Sequence, residues 1–197
     1  MGFWDQQLAE SSDRIEGLRR GYLAALQSGL DQVMAVLSPE LKIRLQLQTG
    51  LQKDENTLDA LLRLRQDDIR RGFSQAGFHR SDIRIATGDV VARDRVSRGQ
   101  AKLIAYGLML AQLPLISQAG KVCTLLVDDL AAELDEEHRN RLLGYLAGTG
   151  HQTLITALDQ PAWAAVVNDN NALQRLDSRM FHVEHGQLRS LKPTGSE

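Results

Sequence analysis

Residues 96–135 read VSRGQAKLIAYGLMLAQLPLISQAGKVCTLLVDDLAAELD, and the fold is decided by this stretch. A polar turn, Ser97-Arg98-Gly99-Gln100, opens a long apolar helix predicted over 102–116. A continuous apolar run at 121–127 then ends on adjacent carboxylates, Asp128 and Asp129. Such a run is the pattern of a parallel strand covered on both faces, and ligands of open α/β sheets bind beyond the C-terminal strand ends. Asp128 suits magnesium, which takes few protein oxygens and the rest from water and phosphates. Asp129 is placed to orient or deprotonate an attacking water. Six of the ten residues from 128 to 137 are acidic, a self-repulsion easier to explain if a cation belongs among them. At the other end Ser97 is a helix N-cap, Gly99 admits a phosphate to the free N–H groups of the helix's positive end, and Arg98 adds a fixed charge. Read alone, the turn is simply a capped helix start; read with the Asp-Asp strand, it points to nucleotide chemistry.

Outward from this centre, residues 5–37 have helical periodicity through Leu8, Ile15, Leu18, Tyr22, Ala25, Val33 and Val36. Gly17, Gly21 and Gly29 weaken that helix, so a packed arm is predicted, whole or broken into a pair. Ile43, Leu45 and Leu47 alternate with polar residues as in a half-exposed strand. Asn56 and Thr57 can cap a second helix with a face of Leu58, Leu62, Ile69 and Phe73. After Gly77 a hairpin is predicted, Ile83 and Ile85 on one strand, Thr87-Gly88 at the turn, Val90-Val91 returning. Downstream, 136–147 reads as an amphipathic helix on Leu142, Leu143 and Leu146. The run 153–156 reads as a short strand, 162–167 as a helix, and 180–188 as a hairpin about Gly186. Strand, helix, strand, helix from residue 120 onward implies βαβ crossovers and an α/β fold.

The totals set the frame. A 197-residue chain with 43% hydrophobic and 24% charged residues can bury one sizeable core. Its net charge of -2 excludes overall polyanion binding, so any basic surface is local. One such segment exists: from Arg63 to Arg98 there are nine arginines, five aspartates, and no Lys or Glu. It suits phosphate groups of a nucleotide or nucleic acid; a solvated face balanced by its aspartates explains it equally well. The single cysteine, Cys123, excludes a disulfide framework and fits a reducing compartment. No apolar run approaches a membrane span, and a cytoplasmic location is expected. A Gly-x-x-x-x-Gly-Lys-[Ser/Thr] phosphate loop is missing, because Gly120-Lys121 is followed by Val122 and preceded by Leu115 at the first glycine position. Arg95 stands where a Gly-x-Ser-x-Gly elbow about Ser97 would need glycine. His182-Val183-Glu184-His185 lacks the usual metal-ligand spacings.

Taken together and in order, these residues resemble the C-terminal half of RecF, a bacterial recombination-mediator ATPase family related to ABC and structural-maintenance-of-chromosomes ATPases. Val96-Ser97-Arg98-Gly99-Gln100 resembles the ABC signature motif in its RecF form, Leu125-Leu126-Val127-Asp128-Asp129 resembles Walker B, and Ala132-Glu133-Leu134-Asp135 resembles the D-loop. Gly77-Phe78-His79-Arg80-Ser81-Asp82 is similar to the family's Gly-Pro-His-Arg-x-Asp, with Phe78 replacing proline, and Trp4-Asp5-Gln6-Gln7-Leu8 is similar to the start of its helical arm. Thr156 lies where many ABC proteins keep a switch histidine.

The resemblance implies the C-terminal part of an ABC-type P-loop NTPase head with a helical arm. It divides the chain into an arm region with one strand pair at 1–76, the head part at 77–190 and a tail at 191–197. It implies ATP and magnesium as cofactors. Asp128 would then be the metal ligand, Asp129 the catalytic carboxylate and Glu133 with Asp135 the D-loop, while Ser97, Arg98, Gly99 and Gln100 would cap ATP in a partner's site. It also implies an ATP-closed homodimer, DNA binding at single/double-strand junctions, cooperation with RecO and RecR, and a part in the SOS response; the arginine surplus at 63–98 offers Arg80 and Arg84 as DNA contacts. Walker A, the adenine-side residues and the Q-loop belong to the family's other half. The chain is therefore expected to be a truncated or mis-started member, inactive as an ATPase alone, with central strands left partly uncovered and prone to self-association. Two other readings stand beside it: a non-catalytic DNA- or partner-binding module, and a head fragment of a different chromosome-type ATPase.

Overall fold

The computed structural model describes residues 2–130, 134–157 and 179–191. They fall into two units, 1–121 and 122–197.

The first unit is built on α1 (Phe3–Leu37), one unbroken helix of 35 residues. Its buried stripe is Ala9, Ser12, Glu16, Leu23, Leu26, Leu30, Val33, Met34 and Leu37. Leu18, Tyr22 and Val36 of the expected face are instead exposed. The true stripe keeps the 3–4 residue spacing but carries two polar residues, so counting apolar positions selects its neighbour.

Strand β1 (Arg44–Gln48) follows with its alternating burial as predicted. Helix α2 (Thr57–Arg71) starts at Asn56, whose side chain accepts the Asp59 N–H at 2.9 Å. It buries Thr57, Ala60 and Leu61, and the Thr57 hydroxyl donates to Asp13 at 2.7 Å. Leu58 packs against this core, but Leu62, Ile69 and Phe73 are 41%, 70% and 56% exposed, contrary to expectation. The small side of α2 lies on the arm because Ala60 permits close approach, which turns the larger residues outward.

Strand β2 (Asp82–Thr87) pairs antiparallel with β1, Leu45 opposite Ile85 and Leu47 opposite Ile83. It then turns through Gly88-Asp89 into β3 (Val90–Val91), one residue beyond the expected Thr87-Gly88, because Thr87 still pairs with Val90. This sheet joins residues on both sides of position 76. Its outer edge at β1 is engaged by Gln27 of α1, which accepts the Leu45 N–H at 2.8 Å and donates to the Ile43 carbonyl at 2.9 Å.

The single helix expected at 102–116 is two: α3 (Arg98–Leu110) and α4 (Leu113–Gln118). Pro114 has no N–H to continue α3 but fits the first turn of α4. Nor is α3 buried all round, since Met109 is 64% exposed. Two glycines bring α1 and α3 together. A Cβ on Gly29 would lie 2.8 Å from the Ala111 carbonyl oxygen, and one on Gly107 would lie 2.7 Å from the Met34 sulfur.

In the second unit β4 (Leu125–Val127) pairs parallel with β5 (Thr153–Ile155), with α5 (Glu136–Gly148) between them in sequence. This is the predicted crossover unit. The strand is shorter than 121–127, and the expected cover on both faces is not found: Val122, Leu126 and Leu154 are 93%, 73% and 54% exposed. Helix α5 buries Leu142, Leu143 and Leu146 as predicted. Strands β6 (Met180–Glu184) and β7 (Gln187–Leu191) form the closing hairpin around Gly186. The helix expected at 162–167 lies outside the described residues, as does the tail expected at 191–197 except for Leu191, which ends β7. Among the described residues no helix is long and apolar enough to cross a membrane.

Candidate functional site

The parallel register aligns Val127 with Ile155, which brings the next residues, Asp128 and Thr156, level at the C-terminal strand ends. The Thr156 N–H donates to the Val127 carbonyl at 2.9 Å. Its hydroxyl donates to the Asp128 carboxylate and accepts the Asp129 N–H at 2.9 Å. Asp129 turns onto that hydroxyl by adopting a left-handed φ of 46°, and Leu130 behind it is fully buried. Asp128 is exposed, and its second oxygen makes no hydrogen bond among the described residues. One open carboxylate oxygen at a strand end fits magnesium, whose remaining ligands would be water and phosphate oxygens. No group of three or more His, Cys, Asp or Glu side chains gathers among the described residues, His182, Glu184 and His185 included.

Asp135 caps α5. Its carboxylate accepts the His138 N–H at 3.0 Å and sits 2.8 Å from the His138 ring nitrogen. The backbone N–H first, then the ring, hold its pKa below the usual carboxylate value. Glu133 lies outside the described residues.

At the start of α3 the capping box is complete: Ser97 Oγ accepts the Gln100 N–H at 3.2 Å, and Gln100 Oε1 accepts the Ser97 N–H at 3.0 Å. The N–H groups of Arg98 and Gly99 make no hydrogen bond among the described residues. A Cβ on Gly99 would meet only Ser97 Oγ, at 4.0 Å. Two unclaimed donors thus face open space at the helix's positive end, beside an exposed guanidinium, which is the chemistry of an anion cap.

The arginine surplus divides. Arg63 is paired with Glu55, Arg65 with Asp5, Arg70 with Asp67 and Arg93 with Asp94. Arg84 is held by the Gln46 side chain at 3.2 Å and the Asp89 carbonyl at 2.8 Å. The guanidinium groups of Arg71, Arg80, Arg95 and Arg98 make no hydrogen bond or ion pair among the described residues. Sequence reasoning did not find the role of Thr156 as the hydroxyl between the two aspartates. Its equal offset beyond the apolar runs ending at Val127 and Ile155 was the available signal.

No family model matches the chain. Individual proteins do. It is 36% identical over 190 residues to the DNA replication and repair protein RecF of Chromohalobacter salexigens, covering 95% of this chain and 51% of the relative. The Pseudomonas aeruginosa protein of the same name is 37% identical over 197 residues, covering 98% and 52%. That of Shewanella baltica is 34% identical over 187 residues, covering 94% and 50%. The chain therefore spans about half the length of the curated relatives it matches. Among solved structures, the recombination mediator protein RecF-ATP has a TM-score of 0.69 at 23% identity, covering 95% of this chain and 49% of that one. RecF-ATPrS gives 0.69 at 21% identity. These establish the fold, an α/β head portion with a helical arm.

Proposed function

The chain is related to RecF over nearly its whole length, and from that premise we propose that it serves DNA replication and recombination repair by ATP-dependent binding at gaps. In this reading Asp128 holds magnesium, Asp129 orients the attacking water, and Asp135 shapes the D-loop. Ser97, Arg98, Gly99 and Gln100 cap the γ-phosphate in the partner's site, so that ATP closes a homodimer on DNA. RecO and RecR are the proposed partners and the cytoplasm the proposed location. Magnesium, when bound, would neutralise charge on the phosphates, and the open carboxylate oxygen of Asp128 would hold it. The observation that supports the reading most is the Asp128-Asp129 pair fixed by Thr156 at the end of a parallel strand.

A phosphate loop is absent from the 197 residues, so they contain neither the amide nest nor the lysine that hold the β- and γ-phosphates. The chain by itself should not hydrolyse ATP. Purified chain incubated with ATP and magnesium is expected to give no turnover above buffer, and magnesium-dependent turnover abolished by Asp129→Asn would overturn this.

A second reading, a DNA-binding module without catalysis, is favoured by the exposed and unpaired Arg80. Salt-sensitive binding to gapped DNA that is lost when Arg80 and Arg84 are neutralised supports it. No binding at low salt counts against it.

A further inference from the structure

We propose that Ser12, Glu16 and Arg19 of α1 are positioning residues that fix the turn from Gly77 to Ser81 and so present Arg80 to a phosphate of the DNA backbone. This rests on the DNA-binding reading above.

The three residues stand at i, i+4 and i+7, one face of a helix. Ser12 Oγ accepts the Phe78 N–H at 3.2 Å, and Arg19 Nη1 donates to the Phe78 carbonyl at 2.6 Å. The Arg19 guanidinium also lies 5.9 Å from the Phe78 ring centroid, within cation–π range. Glu16 Oε1 accepts the Ser81 hydroxyl at 3.1 Å. Both backbone groups of Phe78 and the side chain of Ser81 are therefore gripped by the arm, and Arg80 sits between them. The turn itself is tight: the Arg80 N–H donates to the Gly77 carbonyl at 2.9 Å. Gly77 has a φ of 124°, where a Cβ would meet Ser12 Oγ at 3.3 Å.

Ser12 is 0% and Glu16 4% exposed, on a helix face that otherwise buries apolar residues. Polar groups on such a face are costly unless hydrogen-bonded, and their partners here include Phe78 and Ser81 of the turn, with Arg20 3.7 Å from Glu16. The polar interruption of the stripe thus has a specific object. Its product is an arginine with an immobilised backbone and an exposed side chain that has no hydrogen bond or ion pair among the described residues. Arg84, four residues on, is already engaged by Gln46 and Asp89. Only the first of the two arginines offers a guanidinium ready for a bidentate phosphate contact.

The test uses the 197-residue chain, labelled gapped duplex DNA and a salt titration. Arg80→Ala is expected to weaken binding about three- to tenfold and to lower the salt slope by about one. Arg19→Ala should weaken it to a similar degree, and the Arg19→Ala/Arg80→Ala double variant should bind no worse than Arg80→Ala. Additive losses, or an Arg80→Ala variant that binds like the parent, overturn the proposal. Backbone amide exchange supplies a readout independent of DNA. Arg19→Ala, or Ser12→Ala if Arg19→Ala does not fold, should speed exchange at Arg80 and Ser81, whereas Glu16→Gln, which keeps an acceptor, should not. Unchanged exchange in Arg19→Ala and Ser12→Ala overturns the clamp. Faster exchange in Arg19→Ala or Ser12→Ala, together with a parent chain that binds no DNA, upholds the clamp and rejects the DNA-binding reading.

Discussion

The Thr156 hydroxyl is shared between two consecutive aspartates, donating to the Asp128 carboxylate and accepting the Asp129 N–H. Removing it by Thr156→Val should free the Asp129 amide. The loss of roughly 1 kcal/mol corresponds to about fivefold faster exchange at that position. Thr156→Ser keeps the hydroxyl and should exchange like the parent. Amide exchange followed by NMR separates the two; equal rates in Val and Ser variants would show that the hydroxyl holds nothing.

Four of the five glycines of α1 and α3 should respond to alanine with different signs. At Gly17 and Gly21 an added Cβ meets nothing within 4 Å, so alanine stabilises by about 0.5–1 kcal/mol through helix propensity. At Gly29 it meets the Ala111 carbonyl oxygen at 2.8 Å, rigid backbone, and a net loss of about 1–3 kcal/mol is expected. At Gly107 the neighbours are the Met34 sulfur at 2.7 Å and a Leu30 methyl at 3.1 Å. These flexible ends can move, so the net effect should fall within about 1 kcal/mol of zero. Denaturant midpoints of the four variants test the order.

Asp135 predicts a pH dependence. Its folded pKa is depressed, by the His138 N–H first and the His138 ring second. Stabilisation is therefore present above the unfolded value near 4 and is lost as pH falls through it toward the folded value. The carboxylate is exposed, so the effect is small. Asp135→Asn retains cap acceptors without titrating, and its melting temperature should fall less steeply below about pH 4. Asp135→Ala should lose about 1 kcal/mol at neutral pH as well, by loss of the cap. A parallel acid limb in the Asn variant would contradict the assignment.

The β4–β5 pair predicts a contrast between surface and core. Leu126 is 73% exposed and Leu143 fully buried. Leu126→Lys should change stability by less than about 0.5 kcal/mol while reducing self-association in sedimentation velocity. Leu143→Ala should cost about 2–5 kcal/mol. Association undiminished by Leu126→Lys would place the sticky surface elsewhere.

Much of this architecture is legible in the chain because local rules sufficed. The caps at Ser97 and Asn56, and Gly186 at its hairpin, announce themselves by residue type and place. The failures share one physical cause, that burial is decided by partners distant in sequence. The α1 stripe was misplaced because Ser12 and Glu16 are satisfied by Phe78 and Ser81, more than sixty residues away. The α2 face was misplaced because Ala60, not Leu62, meets the arm. The open faces of Leu126 and Leu154 could not be read from an apolar run, which reports what a strand can bury rather than what covers it. Thr156 became meaningful only when the parallel register set it beside Asp128.

The Gln27 amide engages the edge of β1, and on the same helix Arg19 and Ser12 seize Phe78 from about 12 Å and about 22 Å further back along its axis. Two separated attachments deny α1 rotation about its own axis relative to the sheet and the turn. A turn of the arm about its axis would therefore have to move β1 and the Arg80 turn together or break one of these attachments.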